Sequence, residues 1–191
     1  MCARVNKADG AGQTALLLAS VNGNSAVVAA LLLAGAEVNR VDNRGFTSLY
    51  QAASLGHDAV LAALLGAGAD VNLQPRELSC KSTPLMVSSE EGHEAAVVAL
   101  LQAGSDANVT RVDKVTALML ASQGGHGAIV EALLRSGAEV KSQRVDGATA
   151  LMLAVSGGHL AIVNVLLGAG AEVITVEEHE NILGVTLNPK P

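Results

Sequence analysis

The chain has 191 residues, the length of one ordinary domain, and half of them are apolar. Only Phe46 and Tyr50 are aromatic, which excludes a conventional core of large rings and favours thin Ala, Leu and Val helices packed in layers. A formal net charge of −6 argues against general nucleic-acid binding, which draws on an extended basic surface to release counterions.

Residues 1–8 contain no apolar stretch of the kind a secretory signal needs. An intracellular location, cytoplasmic or organellar, is therefore expected. Val5-Asn6 stand 33 residues before Val38-Asn39, and Lys7-Ala8-Asp9-Gly10 continue like a turn. Residues 1–8 thus read as the exit of a preceding unit whose helices are absent. Residues 11–36 carry no charge, but Asn22-Gly23-Asn24 interrupts them, so no 18-residue apolar run exists. Two short buried helices are expected there, not a transmembrane segment.

That helix pair recurs along the chain. Thr14, Thr47, Thr83, Thr116 and Thr149 are separated by steps of 33, 36, 33 and 33. Gly23, Gly56, Gly92, Gly125 and Gly158 keep the same steps, and so do Gly35, Gly68, Gly104, Gly137 and Gly170. Three landmarks in one period define a repeat array. Residues 9–174 divide into five units, at about 9–41, 42–77, 78–110, 111–143 and 144–174.

In each unit the threonine is an N-cap whose hydroxyl can satisfy an orphan backbone N–H. Pro84 follows Thr83 at the first helical position, where a proline loses nothing. The second helix carries apolar pairs such as Val60/Leu61 and, four residues on, Leu64/Leu65. This spacing makes one apolar stripe. The exit glycine suits a helix end that needs a left-handed residue.

The third unit is irregular. Its turn, residues 74–82, is three residues longer than the others and lacks their Asp and Gly. It reads either as a lengthened surface hairpin, tolerated at little entropic cost, or as a loop projecting into a binding groove. Residues 175–191 form an acidic tail in which Gly184-Val185-Thr186 resemble the start of another unit, stopped by Pro189 and Pro191. The first unit offers Leu16, Leu17 and Leu18, and after Asp9 it carries no charge until Glu37. Solenoid ends need polar caps, so this end is expected to be covered by another chain, by self-association or by further sequence.

Thr-Pro-Leu-Met at 83–86, Gly-His at 92–93 and Gly-Ala-Asp-Val-Asn at 68–72 resemble the ankyrin repeat. The resemblance covers about residues 9–174. It implies an all-α solenoid of stacked helix-turn-helix units joined by hairpin loops. One position departs throughout: the family's histidine after the leucine is replaced by Leu17, Tyr50, Met86, Met119 and Met152. This removes a hydrogen-bonding group near each hairpin and leaves the layer more apolar.

Little catalytic chemistry is encoded. His57, His93, His126 and His159 recur by period, but stacked units lie roughly 10 Å apart, too far for one metal ion. They read as structural histidines. Glu37, Asp70, Asp106, Glu139 and Glu172 also recur and read as hairpin acids. His179, among Glu177, Glu178 and Glu180, reads as part of a solvated tail. Cys2 and Cys80 fit no repeat position and read as reduced thiols. No G-x-S-x-G, phosphate loop or ligand-spaced Cys/His pair is present. Neither an enzyme nor a cofactor or metal site is expected.

The resemblance implies recognition by a curved surface of hairpin tips and first-helix ends. The corresponding tip positions are Asn43, Arg44 and Phe46; Ser79, Cys80 and Ser82; Val112, Asp113 and Val115; Val145, Asp146 and Ala148. The helix-end positions are Ser54 and Leu55, Glu90 and Glu91, Gln123, and Ser156. Phe46, at a tip where no core position is expected, is the best anchor, with Arg44 beside it. Tyr50 falls on the core side. Glu90-Glu91 would favour a basic patch on the partner. The expected function is a non-catalytic protein–protein interaction scaffold. The second reading is a permanent structural subunit of a larger assembly, organellar or membrane-associated, whose neighbours cover the exposed repeat ends.

Overall fold

The structure, a computed structural model, describes residues 5–74 and 81–172. Ten α-helices lie among these residues, in five pairs. They are α1 (Ala15–Val21) and α2 (Ser25–Leu33), α3 (Ser48–Ser54) and α4 (Asp58–Gly66), α5 (Pro84–Glu91) and α6 (Glu94–Gln102). α7 (Ala117–Gly124) and α8 (Gly127–Arg135), then α9 (Ala150–Ser156) and α10 (Leu160–Gly168), complete the set.

The first helix of each pair starts as its threonine dictates. The hydroxyls of Thr14, Thr47, Thr83, Thr116 and Thr149 accept from the N–H groups of Leu17, Tyr50, Met86, Met119 and Met152 at 3.1–3.3 Å. Pro84 occupies the first turn of α5. The exit glycines after the second helices all lie in the left-handed region, with φ between 81° and 90°.

First helices stack on first helices and second helices on second helices, in chain order. The layer between them is filled by Leu16, Leu49, Leu85, Leu118 and Leu151 from the first set, and by Leu64, Leu100, Leu133 and Leu166 from the second. Ala52, Ala121 and Ala154 are buried on the first helices. Their small side chains let the helices approach closely, so few large rings are needed. The apolar stripe of the second helices is complete only inside the stack. Val27 is 49% exposed, whereas its counterpart Val60 is 1% exposed. Leu167 is exposed where Leu134 is half-buried. Among the described residues, each end helix lacks the neighbour that would cover its outer flank.

Two threads of hydrogen bonds join successive pairs. The Nε2 atoms of His57, His93, His126 and His159 lie 3.0–3.1 Å from the carbonyl oxygens of Val21, Ser54, Glu90 and Gln123. A carbonyl only accepts, so Nε2–H donates. Each histidine thus ties its own pair to the end of the preceding first helix, the structural role expected of it. In the second thread, the Oδ1 atoms of Asn6, Asn39, Asn72 and Asn108 accept from the N–H groups of Glu37, Asp70, Asp106 and Glu139 at 2.8–3.2 Å. The next position holds Lys141, whose ammonium pairs with Glu172 instead. The periodic acids also brace their own turns: Asp70 and Asp106 accept from the N–H groups of Asn72 and Asn108 at 3.0 and 2.8 Å.

Hairpins link the pairs. Ala8 bridges Thr14, Val41 bridges Thr47, and Gln143 bridges Thr149, all antiparallel. The turns close when the N–H groups of Gly12, Gly45, Lys114 and Gly147 donate to the carbonyls of Asp9, Asp42, Arg111 and Arg144 at 2.9–3.1 Å. The fourth turn residue is left-handed in each, the arrangement that lets a turn re-enter a twisted strand pair.

Candidate partner-binding surface

The second hairpin is built around a buried carboxylate. Asp42 accepts from the N–H groups of Arg44 and Phe46, both at 2.9 Å, and from Arg44 Nε at 3.2 Å. This fixes the arginine over the Phe46 ring, 5.0 Å from its centroid. Phe46 in turn stacks on Tyr50, with centroids 4.7 Å apart and planes 25° from parallel. Guanidinium, phenyl and phenol form one column from the tip down to the start of α3. Arg44 is exposed, and both rings are half-buried.

Two expectations change here. Phe46 is not a free tip residue, because it roofs Tyr50. Tyr50 is packed against the core but is half-buried, and it belongs to the same column as Phe46. The common cause is the position immediately before the threonine. It is turned away from solvent in all five units, as Gln13, Phe46, Ser82, Val115 and Ala148 are all buried or half-buried. Ser82 and Val115 are therefore buried and are not available to a partner, contrary to the expectation. Ala148 is half-buried.

Other candidates divide as follows. Asn43 is exposed, but its N–H and its side-chain amide donate to Ala11 and Gly10 of the first hairpin at 3.0 and 3.1 Å. Val112 and Val145 are exposed apolar tips. Leu55, Glu90, Glu91, Gln123 and Ser156 are exposed at the helix ends, and Ser54 is half-buried. Ser79 and Cys80 lie outside the described residues.

The charge pairs of the hairpins reverse along the chain. In the second hairpin the acid precedes the arginine, and Arg44 is 60% exposed while Asp42 is 1% exposed. In the fourth and fifth the arginine comes first: Arg111 pairs with Asp113 at 2.8 Å, and Arg144 with Asp146 at 2.7 Å. There the acid is the more exposed partner. Burial pulls the Asp113 carboxyl up, but hydrogen bonds from Arg111 and the Val115 N–H, with the Arg111 charge, outweigh it and hold its pKa below the usual value. Asp146 is held low chiefly by the Ala148 N–H, against a lesser effect of burial, with the charge and hydrogen bond of Arg144 adding.

Two residues escaped the sequence reading. Lys81 and Lys114 have φ of +37° and +60°, the only positive values among described non-glycine residues. They stand two residues before the threonine, where the other hairpins carry Gly12, Gly45 and Gly147. A left-handed conformation costs a side chain about 1–2 kcal/mol. That alignment was the available signal. Among the described residues no three His, Cys, Asp or Glu side chains converge as a metal site. The surface presents a flat column, exposed valines and separated charges, which suits recognition by contact.

A family model described as ankyrin repeats, in three copies, matches residues 2–75 and 85–176. No curated protein matches the chain.

Proposed function

The chain belongs to the ankyrin-repeat family, and from that premise we propose that it is a non-catalytic scaffold holding a partner protein on its hairpin tips and first-helix ends. Repeats of this family generally mediate protein–protein interaction. The Arg44–Phe46–Tyr50 column carries the reading for this chain. A pre-ordered arginine on an aromatic face offers area at small entropic loss, and such residues dominate interfaces. A photoreactive residue at Leu55 should cross-link a partner in cells, and one at Ala30, on the exposed side of α2, should not. Arg44→Ala should remove the adduct. Adducts from Ala30 alone would overturn the reading.

A second reading has its own support. Val27 and Leu33 at one end, and Val155, Leu160 and Leu167 at the other, are exposed large apolar residues. Leu151, Met152, Val155, Val163 and Leu167 line an open apolar hollow on the last pair. A permanent subunit would have neighbours over these ends. Light scattering over a wide dilution range tests it: a clean 19.2 kDa monomer at high concentration would overturn it. No helix among the described residues is long and apolar enough to cross a membrane.

A further inference from the structure

We propose that Arg44 and Lys114, on the second and fourth hairpins, and Lys81, at the matching position before Thr83 between them in the chain, form a cationic rail that receives the acidic edge of a partner polypeptide, while Glu90 and Glu91 take a basic residue on its other edge. The inference rests on the reading that tips and first-helix ends face the partner.

Three observations support the rail. First, Lys81 and Lys114 occupy left-handed positions that three other hairpins give to glycine. A side chain is retained there against the local backbone preference. Both lysines are exposed, and neither has an ion pair among the described residues. The acid beside Lys114, Asp113, is held by Arg111. Second, the reversed pair of the second hairpin buries Asp42 and turns Arg44 outward. Third, the rail has ends: the first hairpin carries Gly12 and the fifth Gly147 at the position of the lysines, so neither adds a cation there.

The acids of the pattern stand at the C-terminal end of α5. Glu90 and Glu91 are exposed, and their counterparts in the other pairs are uncharged: Val21 and Asn22, Ser54 and Leu55, Gln123 and Gly124, Ser156 and Gly157. The charge pattern is therefore centred on the middle unit. The chain as a whole is at −6, but screening over about 8 Å at physiological salt makes the nearest charges decisive. Units stacked roughly 10 Å apart call for partner carboxylates about three residues apart in an extended segment, or about seven apart in a helix.

A randomised 12-residue peptide library, displayed on phage and selected against the full chain, tests this. Selected peptides are then measured by fluorescence anisotropy. Peptides with Asp or Glu at one of those spacings are expected. The double variant Lys81→Gly, Lys114→Gly should melt higher than the parent and bind them at least tenfold more weakly. Lys81→Glu with Lys114→Glu should abolish binding. If peptides lose affinity on Arg44→Ala with Phe46→Ala but are neutral or basic, or bind the glycine variant unchanged, the rail is wrong and the groove stands. Peptides indifferent to Arg44→Ala with Phe46→Ala overturn both. A lower melting temperature for the glycine variant also overturns the rail, because the lysines would then be structural.

Discussion

The ring of His126 occupies the space that a side chain on Gly92 would need. A Cβ built on Gly92 would lie 2.5 Å from the ring's Cε1. Gly92 also has φ of +80°, so two independent reasons favour glycine there. Gly92→Ala should cost the left-handed strain of about 1–2 kcal/mol plus displacement of the ring. In a His126→Ala background only the strain should remain. Urea unfolding of the four variants should give a coupling energy of about 1 kcal/mol or more. Simple additivity would show that the ring yields freely.

Asp113 and Asp146 make stability depend on pH in one direction. Their folded pKa values lie below the usual carboxylate value. The contribution is complete above the unfolded value, near pH 4, and is lost as pH falls through the lower folded values. Asp113→Asn with Asp146→Asn should melt below the parent at neutral pH. The gap should close as pH falls below about 4. A gap that persists at low pH would place the effect in packing.

Lys141 breaks the asparagine thread at its last link. An ion pair between side chains 63% and 70% exposed is worth about 0–1 kcal/mol and weakens with salt. Lys141→Asn should restore an acceptor for the Glu172 N–H. The expected gain is about 0.5–1.5 kcal/mol, with a weaker dependence on sodium chloride. Thermal melts at low and high salt measure both. No gain at high salt would mean that the last unit does not need the bond.

The Phe46–Tyr50 stack ties binding to stability. Phe46→Leu keeps an apolar side chain at the inward position and loses the stack. It should cost about 0.5–1.5 kcal/mol and release Arg44 from its platform. Tyr50→Leu should produce a similar loss. Chemical denaturation measures both, and an unchanged midpoint would make the column a surface feature only.

The helices, caps and left-handed exits were legible because each is fixed by one residue type acting within its own turn. Threonine, proline and glycine carry that chemistry wherever they stand. The recurrence of the histidines was equally visible, but their acceptors were not, since a backbone carbonyl leaves no mark in the sequence. The candidate surface was less legible. Ser82, Val115 and Phe46 share the position before the threonine, and its inward direction is set by turn geometry. Small side chains vanish there, while phenylalanine outgrows the space and leans on Tyr50. Lys81 and Lys114 lay in plain view, but their meaning required the backbone angle.

The two threads have a consequence for the length of the molecule. Each link spans one unit along the chain and ends on a backbone group, so it does not depend on which unit comes next. Excising residues 111–143 would bring His159 against the Glu90 carbonyl and Asn108 against the Glu172 N–H, so both links re-form across the junction. The fold can therefore gain or lose whole units by recombination without redesign of either flank. What such an event would change is the charge pattern of the tips, and with it the choice of partner.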